Sequence, residues 1–183
     1  TVVTADIAEV TARPERVVLT AIEAMFMIDV MIGTVGYIVT MRPLDAHIRS
    51  GNPLLAGWVA ALICYPPPVW GILGDGRAIN YEQNAAGWLH WLAGHDTLIA
   101  VWGGVLVLLT GIYAWATFAF GLRFSNLTYR GVLTNGPYRF TRHPAYLSKN
   151  LFWWCSVLPF LVTTGSPVEA IRNSFFLLVV NGI

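Results

Sequence analysis

Charge is what this chain has least of. Only 11% of its 183 residues are Asp, Glu, Lys or Arg, while 56% are apolar, a balance that excludes an ordinary soluble domain. Cysteine is nearly as scarce. Cys64 lies in an apolar run and Cys155 follows Trp154, a spacing that offers neither a zinc ligand set nor a disulfide framework, so both read as small buried apolar residues. No internal repeat and no low-complexity linker interrupts the chain, which reads as a single membrane domain over 1–183. A mean hydropathy of +0.59 is that of an integral membrane protein.

Crossing the roughly 30 Å hydrocarbon core takes about 20 mostly apolar residues, and such runs can be counted. Val17 to Thr40 is the first, Leu54 to Leu73 the second, and Thr97 to Phe120, free of charge, the third. Tyr146 to Thr164 makes a fourth if Lys149 extends its ammonium to the interface. A fifth begins at Asn173 and is cut short at Ile183. The expected fold is therefore all-α, a polytopic membrane helix bundle of about five transmembrane helices with the last truncated. Spans at 17–120 are followed by a loop and further spans over 121–183. The first run is long enough to span and has no small-residue cleavage pattern behind it, so it reads as a span and not a secretory signal. Pro66, Pro67 and Pro68 remove successive amide donors and predict a break in the second run. The polar stretch from Gly74 to His95, with Trp88, His90, Trp91 and His95, suits the headgroup level. Its two histidines are five apart and miss the i, i+4 metal-pair spacing.

The stretch from Gly121 to Trp154 carries Arg123, Arg130, Arg139, Arg142 and Lys149 with no acidic residue among them, although the whole chain holds 11 basic and 10 acidic residues. Such an excess calls for an anionic partner. It also places this loop in the cytoplasm by the positive-inside rule, with Arg42 and Arg49 on the same side. A short cationic loop between spans gives no footing for nucleic acid. Within it, Asn135-Gly136-Pro137 is a turn signal. Arg142-His143-Pro144-Ala145-Tyr146 follows, where the proline sets a helix start and pushes His143 towards an extended backbone. The free amides of that helix end, near arginines, suit a carboxylate or phosphate. Glu23 and Asp29 lie inside the first run, where a carboxylate is costly to bury. Their six-residue offset puts them on different faces, and pairing contacts are the expected role.

Ser125-Asn126-Leu127, Leu133 to Arg139 and Arg142 to Leu147, in that order before an aromatic span, resemble the isoprenylcysteine carboxyl methyltransferase and phospholipid methyltransferase group of membrane enzymes. The resemblance implies S-adenosylmethionine as cofactor, bound from the cytoplasmic side of a bacterial inner membrane, and a lipidic acceptor entering from the bilayer. It implies no metal. By it, Arg142 and Tyr146 are the catalytic candidates, and Asn126, Tyr138, His143 and Tyr146 the cofactor ligands. Arg139, Lys149 and Asn150 are the acceptor ligands. Ser148 stands where related sequences commonly carry glycine. The second signature of the group, an Arg followed by paired glutamates, does not occur before Ile183, so the expectation is that this stretch has little activity alone and that an acidic group completes the cofactor site. Two other readings stand beside this one. Sterol reductases, which use a reduced nicotinamide, share a His-Pro-x-Tyr segment, and a non-catalytic subunit of a membrane-protein assembly would also keep the fold.

Overall fold

A computed structural model describes residues 13–63, 68, 71, 87–125, 127–156 and 167–182. The chain is mostly helical. Helix α1 spans Pro14–Ile38, α2 Leu55–Ile63, α3 Trp88–Trp91, α4 Asp96–Phe120, α5 Pro144–Ser156 and α6 Pro167–Gly182. Pro14 starts α1 where its missing amide hydrogen costs nothing, with Glu15 beside the positive helix end. Asp96 does the same for α4.

Two helices, Glu15–Ile38 and the run from Asp96 to Arg123, are long and apolar enough to cross a membrane. This is coarser than the expected bundle of about five spans. Helix α2 is described over nine residues, and α5 over 13. At about 1.5 Å per residue neither reaches across a 30 Å core within those bounds. Pro66 and Pro67, like the ends of the second and fourth apolar runs, lie outside the described residues. Helix α6, 16 residues long, starts six residues ahead of the expected fifth run because Pro167 supplies a helix start that hydropathy does not register.

Helices α1, α4 and α5 form the core. Ile22 from α1, Ile99 and Leu106 from α4 and Phe152 from α5 are buried together, with Phe26, Trp102 and Cys155 packed against them. Trp88 joins this cluster at 7% exposure, so this tryptophan is a core residue rather than part of a headgroup-level belt. Trp91, 48% exposed, remains outside. Close fit and polar bonds between the helices add to this apolar packing. Close fit is visible at Gly36, where a Cβ would stand 2.7 Å from the Cβ of Phe124. The polar bonds centre on Asp29. Its Oδ2 accepts from the Tyr113 hydroxyl and its Oδ1 from the Thr117 hydroxyl, each at 2.6 Å. Asp29 is buried and Glu23 exposed, as their offset requires. Phe26 packs on the Tyr113 ring at 5.6 Å and on Phe152 at 5.5 Å, joining all three helices.

The loops leaving α1 and α4 meet at one end of this core. Strand β1, Ser50–Gly51, pairs antiparallel with β2, Thr128–Tyr129, in the register Ser50 to Tyr129 and Gly51 to Thr128. The amide hydrogens of Arg49 and Asn52 extend the ribbon to the carbonyls of Tyr129 and Leu127. Arg130, next in the chain, is buried at 4% exposure. Its Nη1 donates to the carbonyls of Gly36, Leu122 and Val39 at 2.6, 3.2 and 3.4 Å. One cation thus closes the negative ends of α1 and α4. Replacing it with an apolar chain leaves these carbonyls without their donor, so Arg130→Met is expected to destabilise the fold by about 3 kcal/mol. The exposed Arg142→Met should change stability by less than about 0.5 kcal/mol. Thermal unfolding in detergent checks both, and equal midpoints for the two variants would contradict the assignment.

Candidate functional site

The Asn135-Gly136-Pro137 signal forms a single 3-10 turn, Gly136–Arg139, preceded by an extended Asn135. Gly136 sits at φ +56°, and a Cβ there would come within 3.1 Å of Ala119 Cβ and 3.4 Å of Trp115 Nε1. A left-handed backbone and a close approach therefore both select glycine, and the turn lies against the last turns of α4. Pro137 is buried, and the amide hydrogens of Tyr138 and Phe140 close onto Asn135 and Pro137 carbonyls. This docking sets Tyr138 against Phe120, with ring centroids 5.6 Å apart. Half-burial pushes the Tyr138 hydroxyl up to about 12, with the nearby Tyr146 adding to the effect. The phenol stays protonated at any physiological pH and serves only as a neutral donor or acceptor.

Five residues past this turn, the buried Pro144 starts α5, and the His143 carbonyl accepts from the Leu147 amide as the first helical bond. Ser148 is buried and donates back to the Pro144 carbonyl at 2.8 Å. That bond locks the first turn, which is a local reason for a small hydroxyl residue there. His143 and Tyr146 face each other edge to face at 6.3 Å. Both are exposed, Tyr146 at 62%. Arg139 and Arg142 are exposed beside them, with the Arg139 guanidinium 5.5 Å from the Phe140 ring. Lys149 lies one turn further along, its Nζ 5.6 Å from the centroid of the Tyr113 ring on α4, and Asn150 is half-buried next to it. The structure thus gathers Tyr138, Arg139, Arg142, His143 and Tyr146 around the start of α5 and sets the exposed Lys149 over the Tyr113 ring. Asn126 lies outside the described residues.

The five cations separate into two kinds. Arg123 is engaged by Asp45, which it grips through a carboxylate contact and through Nε to the Asp45 carbonyl at 3.2 Å. Arg49 holds the other carboxylate oxygen at 2.8 Å. Asp45 is held below its ordinary value, chiefly by the Arg49 hydrogen bond, with Arg123 contributing. Arg130 closes helix ends. Arg139, Arg142 and Lys149, by contrast, meet no carboxylate within 4.0 Å among the described residues. The demand for an anionic partner read from the sequence therefore narrows to these three.

A cleft of about 460 Å³ opens beside the motif, lined by Leu44, Phe120, Leu122, Arg123, Thr134 and Asn135 among others. Phe120, which forms part of its wall, also packs on Tyr138. His143 and Tyr146 do not line it. Sequence reasoning passed over Tyr113, Thr117 and Asp45. The first two carried a signal, a hydroxyl pair four residues apart in one apolar span, able to meet a carboxylate in another. Asp45 carried none, since one of its two arginine partners lies 78 residues away.

Residues 94–183 match the model of a family described as a protein of unknown function (DUF1295), which is generally related to steroid 5-alpha reductase and methyltransferase-like membrane proteins. The matched stretch takes in α4, the motif turn, α5 and α6. No curated protein and no solved structure matches the chain.

The raised hydroxyl of Tyr138 has a pH consequence. Its unfolded value is the ordinary 10.0. Between that and about 12 the unfolded chain loses this proton while the folded chain keeps it, so stability present below pH 10 falls as pH rises through that window. In alkaline difference spectroscopy of the tyrosines, Tyr138→Phe should remove a transition near pH 12, and its alkaline unfolding should begin at higher pH than that of the unaltered protein. An unchanged late transition in the variant would assign it elsewhere.

Proposed function

We propose that this chain belongs to a membrane enzyme that transfers a methyl group from S-adenosylmethionine to a lipidic acceptor. The observation that carries the reading is the turn itself. An Arg-His-Pro-x-Tyr segment starts a helix with His143 and Tyr146 exposed as a ring pair, beside two arginines without acidic partners among the described residues, at one end of helices long enough to span a bilayer. The related family is consistent with it and equally with a reductase.

The residues fit the cofactor's chemistry. Its carboxylate suits Arg139 or Arg142, its adenine suits the exposed rings of His143 and Tyr146, and Tyr138, neutral at working pH, offers a hydrogen bond without a charge. Asn126 completes the proposed cofactor set. The cofactor, when bound, supplies an activated methyl group, and in-line transfer then depends on alignment and on exclusion of water. Arg142 and Tyr146 are the residues proposed to align the reacting groups. Arg139, Lys149 and Asn150 are proposed to meet the acceptor. A carboxylate acceptor needs no base at neutral pH, whereas an amine must first lose a proton.

Calorimetric titration of the complete protein in detergent tests this. S-Adenosylmethionine should bind, and His143→Ala should weaken it about tenfold, the loss of roughly one good polar or stacking contact, while leaving the unfolding midpoint in place. Preferential binding of a reduced nicotinamide would move the reading to the reductase. Binding of neither would favour a non-catalytic subunit.

The reading also requires the motif end to face the cytosolic cofactor. In closed inner-membrane vesicles of known orientation, cysteines introduced at Ser125 and at His90 should react with a membrane-impermeant reagent from opposite sides, that at Ser125 from the cytoplasmic side. Labelling of the Ser125 position from outside would remove the cofactor's access.

A further inference from the structure

Lys149 occupies an unusual position for a cation. Its ammonium stands 5.6 Å from the centroid of the Tyr113 ring, within the range of a cation–π contact. Behind that ring, the Tyr113 hydroxyl donates to the buried Asp29 carboxylate at 2.6 Å. Thr117 occupies the other carboxylate oxygen, so Asp29 is fixed and aims its charge at the phenol. An aromatic face backed by a buried carboxylate in a low-dielectric layer is an attractive place for a positive charge. Phe26 walls one side at 5.6 Å. The chain's own ammonium fills the place, from an exposed side chain on a long flexible stem. No carboxylate lies within 4.0 Å of it among the described residues.

We infer that the Tyr113 ring with Asp29 behind it is a binding site for a small onium cation, and that Lys149 is its tethered occupant, displaced when a ligand sulfonium or quaternary ammonium enters. The ring and carboxylate come from α4 and α1, and the tethered residue comes from α5, one turn past Tyr146. Tyr113 lies seven residues before the end of α4, about 10 Å along the helix from the loop end, and Lys149 five residues past the start of α5. The site therefore sits just below the motif turn. This placement answers an electrostatic problem in the motif, where Arg139, Arg142 and Lys149 repel a cationic ligand and no acidic residue is near in sequence. Asp29 supplies the opposing charge from another helix. Displacement of Lys149 also frees its ammonium for an anionic group, which couples arrival of a cation to the appearance of a cation-lined acceptor site. The choice of a sulfonium as natural ligand rests on the methyl-transfer reading. The cation site itself does not.

Tetramethylammonium, which carries the charge and shape but transfers no methyl group under these conditions, separates the two. The probe is titrated into the purified complete chain in neutral detergent, and its proton resonance is followed for the upfield shift of a cation lying over an aromatic ring. Lys149→Met should bind it about tenfold more tightly than the unaltered chain, because the competitor is gone. Tyr113→Phe in the Lys149→Met background keeps the ring and loses the tie to Asp29, and should weaken binding about threefold. Tyr113→Leu in that background should abolish it, and the Phe variant keeps the test decisive if the Leu variant fails to fold. Equal affinity of Lys149→Met and the unaltered chain would overturn the proposal, as would undiminished binding after loss of the ring. Tight binding of tetramethylammonium by Lys149→Met with no binding of S-adenosylmethionine would leave the cation site standing and remove the methyl-transfer reading.

Discussion

One carboxylate accepting two hydroxyls fixes this structure. Tyr113 and Thr117 are four residues apart on α4, so their side chains lie on one face, one above the other, and Asp29 bridges them with one oxygen each. Apolar contacts alone would let two such helices slide and rotate at little cost, because one apolar face packs about as well as another. A bridge of this kind tolerates neither movement. A shift of α1 by one turn would break at least one of these bonds and leave a buried polar group without its partner, a costly loss where water is excluded. The depth and rotation of α1 against α4 follow from it, and with them the positions of the loops that leave both helices at the same end.

Those loops use that alignment. Only when α1 and α4 end level can one guanidinium reach the carbonyls of Gly36, Val39 and Leu122 together. Arg130 is fixed in turn by the short ribbon between Ser50–Gly51 and Thr128–Tyr129, whose next residue it is. Asp45, in a left-handed conformation at φ 50°, then binds Arg49 and Arg123 across the two loops. These contacts hold the segment that leads into Gly136–Arg139 and α5. The exposed ring pair of His143 and Tyr146 is thus carried on an anchored platform rather than a loose loop, which is what a site relying on alignment needs.

Local signals were legible in the sequence. The first and third apolar runs fall within three residues of α1 and α4, because about 20 apolar residues without a breaker form one helix. The proline after His143 marked the start of α5. The separation of Glu23 from Asp29 followed from helical periodicity alone. The unread features all depend on partners distant in the chain. A two-residue strand has no alternation to recognise, so the ribbon left no trace. Net charge over Gly121 to Trp154 treated five cations as equal, whereas Arg123 and Arg130 are spent on Asp45 and on helix ends. Trp88 looked like a headgroup-level aromatic because its neighbours are polar, yet its ring packs beside Val18 against Gly103. Of the residues assigned to the candidate site, those in the Arg-His-Pro-x-Tyr turn come together. Lys149 instead turns towards Tyr113, an arrangement only a three-helix contact can create.

The same contact reframes what an acidic partner for the motif has to be. An onium ligand beside Arg139 and Arg142 is repelled by roughly 1 kcal/mol per charge at 4 Å in water and by several times that where water is excluded. A carboxylate placed on the motif itself would cancel those arginines and remove the site's hold on anions. Keeping the carboxylate on α1, behind a ring on α4, avoids this, because the phenol separates Asp29 from the arginines while its face still transmits a negative potential. The two signs of charge then occupy different layers of one site, cationic at the turn and anionic below it. A zwitterionic ligand with a carboxylate at one end and an onium centre at the other is the kind of molecule such a separation can orient.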